Sequence, residues 1–102
     1  MTQDKIVTDA LGFRLEVTFC IGDFKSLGQH VTFQDESGIV TEEAPHTINL
    51  KSGLARDVIN TVVPHEVYHL FYSVRHLIKA DEETEAEVFG ELVGRILNAY
   101  AP

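Results

Sequence analysis

The sequence has one cysteine, no tryptophan, three prolines and eight basic residues. Each shortage excludes something. A single cysteine, Cys20, leaves no internal disulfide and no thiolate zinc site. A reducing, cytoplasmic setting fits that usage. Eight Lys and Arg against sixteen Asp and Glu give a net charge of −8. Phosphate binding needs clustered Lys and Arg, and here they are scattered, so nucleic acid is not the expected partner. No apolar run approaches the roughly 20 residues that cross a bilayer, so no membrane helix is expected. The opening residues, Met1-Thr2-Gln3-Asp4-Lys5, are polar, and no apolar segment with a small-residue cleavage site follows. A secretory leader is therefore not expected. No repeat, linker or low-complexity stretch divides the 102 residues, which suit one domain with one modest core.

What is present falls into two textures. Phe13, Leu15, Val17 and Phe19 alternate with Arg14, Glu16 and Thr18, the pattern of a half-buried strand. Residues 30–33 and 46–50 read as further short strands, and 39–41 as strand or loop. From Leu54 the period becomes helical: Leu54, Val58, Val62, His65, His69 and Tyr72 follow at steps of three and four. Pro64 removes a backbone donor inside that run and disfavours helical angles at Val63. The expectation is a helix kinked or restarted near 60–64, capped by Asn60 or Thr61, and running to about His76. A second helix opens on Asp81-Glu82-Glu83-Thr84-Glu85, where its dipole favours acidic residues. Ala86, Phe89, Val93, Ile96, Leu97 and Tyr100 then form its apolar stripe. The fold class is α+β.

Chemistry concentrates in His65-Glu66-Val67-Tyr68-His69, an H-E-x-x-H pattern on the first helix. Residues four apart share a helix face, so both imidazoles can converge on one metal ion at about 2.0–2.1 Å. The Glu66 carboxylate, one position round, can take a proton from a water that the metal activates, and return it to a leaving amine. In a chain with five histidines, random placement would produce this pattern roughly 0.02 times.

A catalytic zinc needs a third protein ligand and an open position. A continuous helix would carry His76 about 10 Å beyond His69 along the axis, out of reach of the same ion. The elongated pattern with a third histidine would need Gly at Tyr72 and His at Arg75, and both fail. The acidic start of the second helix is the better source, once the loop at 77–80 reverses the chain. Glu82, Glu83, Glu85 and Glu87 are the candidates, and helical geometry alone selects none of them. Glu87 would otherwise suit a hydrogen-bond acceptor behind a ligand histidine, or simply a solvated position. Tyr68, Tyr72, His30 and His46 are side chains able to donate to a tetrahedral oxyanion. Cys20 reads as a small buried hydrophobe.

The H-E-x-x-H pattern followed by Glu83-Thr84-Glu85-Ala86-Glu87-Val88-Phe89-Gly90 resembles the small gluzincin-type metallopeptidase domains of the ImmA/IrrE kind. It is especially similar to the minimal, phage-type versions, which carry E-x-x-A-x-x-x-G or E-x-x-A-x-x-F-A after the histidines. The resemblance covers roughly residues 46–97. It implies His65, His69 and Glu83 as zinc ligands, one ion per chain, and Glu66 as general base. The sequence departs from the pattern in Pro64 before the first histidine and in a short spacer before Glu83. A zincin-like domain implies a short antiparallel or mixed sheet of about three strands, packed on the H-E-x-x-H helix and a C-terminal helix. In such folds an extended peptide or protein substrate adds to a sheet edge beside the metal, and His46 to Leu50 is the strand expected there. The expected activity is zinc-dependent peptide hydrolysis. The rival expectations are a metal-stabilised binding or structural protein without hydrolysis, and an interaction domain without metal.

Overall fold

Leu15, Val17, Phe19 and Ile21 are buried and alternate with half-buried Glu16, Thr18 and Cys20, as a strand with one fully covered face requires. The computed structural model describes residues 2–100. It builds four strands and two helices in the order β1 (Thr2–Thr8), β2 (Leu15–Gly22), β3 (Gly28–Thr32), β4 (His46–Lys51), α1 (Arg56–Val74) and α2 (Glu82–Tyr100). The fold is α+β with one mixed sheet in the order β1-β2-β4-β3. The pair β1/β2 is antiparallel, β2/β4 parallel and β4/β3 antiparallel. Cys20, expected in the core, stands half-exposed on the opposite face of β2 from Phe19.

Two sequence expectations need correction here. The sheet has four strands, not about three, and the additional one is β1. Its polar residues hid it: Ile6 alone is fully buried, and the strand is held by backbone pairing to β2 at the sheet edge. The strand His46–Lys51 is not an edge. It lies between β2 and β3, because β3 folds back antiparallel on its outer side. The second free edge is therefore β3. Residues 39–41 form no strand, and Asp35 Oδ1 accepts the N–H groups of Ser37 and Ile39 at 2.8 and 2.9 Å in a turn just before them.

Helix α1 runs unbroken from Arg56 to Val74 with Pro64 inside it. Of the two alternatives expected, a kink or a restart, the restart does not occur, and neither Asn60 nor Thr61 is a cap; Thr61 Oγ1 donates back to the Asp57 carbonyl at 3.3 Å. Burial explains the continuity. Ile59 and Val63 before the proline, and Val67, Leu70 and Val74 after it, are all fully buried. Shared burial of one stripe on both sides of Pro64 offsets the single lost hydrogen bond. The helix stops at Val74, and His76 lies beyond it, bonded through Nε2 to the Val40 carbonyl at 2.7 Å.

Helix α2 folds back along α1. Phe71 and Phe89 meet edge to face at 5.4 Å. At the far end the Tyr100 hydroxyl accepts the Leu54 N–H at 2.8 Å and donates to the Lys51 carbonyl. At the near end Asp81 caps the helix through the Thr84 N–H at 2.8 Å, and hydrogen bonds from Thr84 hold its carboxyl below the usual range. The buried stripe of α2 is centred on Val88, Leu92 and Ile96, with Phe89, Val93, Leu97 and Tyr100 beside it. Ala86, expected on the stripe, is exposed. That small rotation matters for the acidic residues one and two turns earlier. Among the described residues no helix is long and apolar enough to cross a membrane.

Candidate metal centre

His65 and His69 stand on the exposed side of α1, and Glu66, one position on from His65, is turned inward and only 6 % exposed. The two imidazoles converge: their Nε2 atoms are 3.1 Å apart and their rings lie edge to face. Between bare imidazoles that separation is a hydrogen bond. It is also close to the roughly 3.3 Å expected for two nitrogens bound at about 2.0–2.1 Å to one tetrahedral ion. A Glu66 carboxylate oxygen lies 4.0 Å from His65 Nε2. His65, Glu66 and His69 form a group whose candidate ligand atoms all lie within 4.8 Å of one another. Borderline nitrogen donors at this spacing, with a carboxylate behind them, suit zinc or a similar divalent ion.

The wall opposite the helix is β3. Gly28, Gln29 and His30 line one cleft of about 380 Å³ with His65, Glu66 and His69. Gly28 permits this approach. A Cβ there would sit 2.6 Å from Val62 Cγ1, 2.9 Å from Glu66 Cγ and 3.0 Å from a Glu66 carboxylate oxygen. Its φ is not positive, so the requirement is space rather than backbone angle. Two residues along the same face, His30 Nε2 lies 3.2 Å from His46 Nδ1, with the rings stacked at 5.5 Å. That His30 and His46 each lie on a strand was legible in the sequence. That β3 would lie across from α1 was not.

Burial, and then the nearby charge of His30, push the His46 imidazole down to about 4. His30 moves in the same direction, by burial and then by His69. Both are neutral at pH 7. The unfolded chain therefore binds more protons than the folded one between about pH 6.5 and pH 4. The resulting stability is full above the unfolded value and is lost as pH falls through that window. We expect the melting temperature to drop across it, and the drop to shrink in His46→Gln. A pH profile that His46→Gln leaves unchanged would assign the acid sensitivity to other groups.

The acidic candidates separate. Glu83 is exposed, on the side of α2 shared by exposed Ala86, Glu87 and Gly90, and is not part of the group around the histidines. Glu82 and Glu87 are exposed too. Glu85 is half-buried and lines a second groove with Tyr68, Tyr72 and Arg75, adjoining the histidine pair. The stripe rotation accounts for this, since Glu85 precedes Val88, Phe89 and Leu92 at helical spacing. Tyr68 and Tyr72 themselves are exposed, and Arg75 lies over the Tyr72 ring. No family model, no curated protein and no solved structure matches this chain.

Proposed function

We propose that this chain is a small zinc-dependent peptidase with His65 and His69 as metal ligands and Glu66 as general base. One observation carries the reading: two Nε2 atoms 3.1 Å apart on α1, with a buried carboxylate 4.0 Å from one of them, at the mouth of a cleft. A buried carboxylate beside two convergent imidazoles is costly as a structural feature and useful as a base. The third ligand would come from the first turn of α2, none of whose carboxylates is in the group around His65 and His69. The family resemblance nominates Glu83, and the groove beside Tyr68 and Tyr72 nominates Glu85.

The metal would act as a Lewis acid, polarising the scissile carbonyl and making water acidic near neutral pH. Glu66 would take the proton of the attacking water as its oxygen bonds the carbonyl carbon. The carbonyl π pair moves onto oxygen, then returns as the C–N bond breaks. Glu66 hands its proton to the departing nitrogen, so protons and charge balance. The substrate is an extended peptide added along β3, the free edge that lines the cleft, in place of the central β4.

The test is the metal content of the purified full-length chain, followed by a peptide-library cleavage assay. About one zinc per chain and chelator-sensitive cleavage are expected. No bound metal, with a melting temperature unmoved by added zinc, would overturn the reading. Stoichiometric zinc without cleavage of any peptide would favour the metal-stabilised binding protein instead.

A further inference from the structure

One histidine in the cleft has no part in the scheme above. His30 lines it from β3 but stands outside the group of ligand atoms within 4.8 Å of one another. Its Nε2 is engaged by His46 Nδ1 at 3.2 Å, which leaves Nδ1 as its remaining polar atom. His46 is a central-strand residue only 2 % exposed. A buried imidazole needs a partner, and His46 spends its Nδ1 on His30. The pairing holds the His30 ring in place.

We propose that His30 hydrogen-bonds the oxyanion that develops on the substrate in this cleft, and that His46 is its positioning residue. The proposal rests on the peptidase reading. When His46 Nδ1–H donates to His30 Nε2, the His30 proton sits on Nδ1, and the ring offers a fixed, neutral N–H. Such a donor favours the charged tetrahedral oxygen over the ground-state carbonyl, so it lowers the barrier rather than only tightening binding. The other donors near the histidines lack this anchoring. Tyr68 and Tyr72 are 56 % and 60 % exposed, and Gln29 is exposed on the edge strand.

The test uses full-length chain loaded with cobalt(II), whose visible absorption reports both metal binding and phenylphosphonate, a tetrahedral oxyanion. In His30→Ala, cobalt affinity should stay within about twofold while phosphonate affinity falls by about 10–100-fold, the range for a hydrogen bond to a charged group. In His46→Gln, phosphonate affinity should fall less, and the Nδ1-protonated nitrogen signature of His30 should be lost, a change that general loosening would not produce. If His46→Gln does not fold, His30→Ala decides alone, because His30 is only half-buried. Unchanged phosphonate affinity in His30→Ala overturns this inference and leaves the peptidase reading standing. Cobalt affinity lost in His30→Ala overturns it in favour of a ligand role. A wild-type chain that takes up no cobalt overturns the peptidase reading and this proposal together.

Discussion

On the proposed reading, replacing His69 by alanine should abolish stoichiometric zinc binding, whereas replacing Glu66 by glutamine should leave it intact. The reason is the division of labour on α1. His65 and His69 present converging Nε2 atoms, and each would supply one of about four ligand bonds to a bound zinc. If a structural-type zinc energy of about 10–16 kcal/mol is shared among four ligands, each is worth roughly 3 kcal/mol, more than a hundredfold in affinity. Glu66 is inward and buried, so glutamine keeps its shape and its packing against Val62 and Gly28. What glutamine cannot do is accept a proton. Hydrolysis should therefore fall by about 10²–10⁴-fold in Glu66→Gln, at unchanged metal content. Elemental analysis and cleavage rates on the same preparations check both halves. Metal lost in Glu66→Gln would make Glu66 a ligand and remove the base from the scheme. Glu83→Ala and Glu85→Ala belong in the same series, and whichever lowers zinc affinity identifies the third ligand.

Gly28→Val should destabilise the chain by about 1–3 kcal/mol, the usual range for overpacking. On intrinsic grounds the sign would be opposite. Gly28 sits in a strand without a positive φ, where β-branched residues are favoured and glycine is entropically costly. The contacts reverse it. The new Cβ alone falls 2.6 Å from Val62 Cγ1, a β-branched side chain with one strongly preferred rotamer in a helix, and 2.9 Å from Glu66 Cγ. The edge strand must move away from α1, taking His30 with it and widening the cleft, so hydrolysis should drop as well. Gly94→Ala is the control: a Cβ there meets nothing within 4 Å, and a helix gains from it. Denaturant unfolding of the two variants compares the signs. A Gly28→Val chain as stable as wild type would show that β3 does not press on the helix at this point.

Much of this arrangement can be read from residue spacing. The i, i+4 histidines, the alternation of β2 and the acidic, Asp81-capped start of α2 are local patterns, and each needs only neighbours within a few residues. The failures share a cause. β1 is an edge strand with one fully buried residue, so backbone pairing holds it and no apolar pattern announces it. Pro64 signals a break, but burial on both sides of it keeps α1 whole. The stripe of α2 centres on Leu92 rather than Phe89, because the face that packs is chosen by α1 and not by α2 alone. That rotation leaves Glu83 in solvent and brings Glu85 to the groove.

The sequence by itself determined that two imidazoles and a carboxylate meet on one helix, since helical geometry places residues i, i+1 and i+4 without help from the rest of the chain. The tertiary structure decided what faces them. Strand order makes β3 the edge and β4 the interior, and brings Gly28 and His30 across the cleft from residues more than thirty positions away. Those choices depend on which surfaces bury most against each other, a property of the whole fold that no single segment encodes.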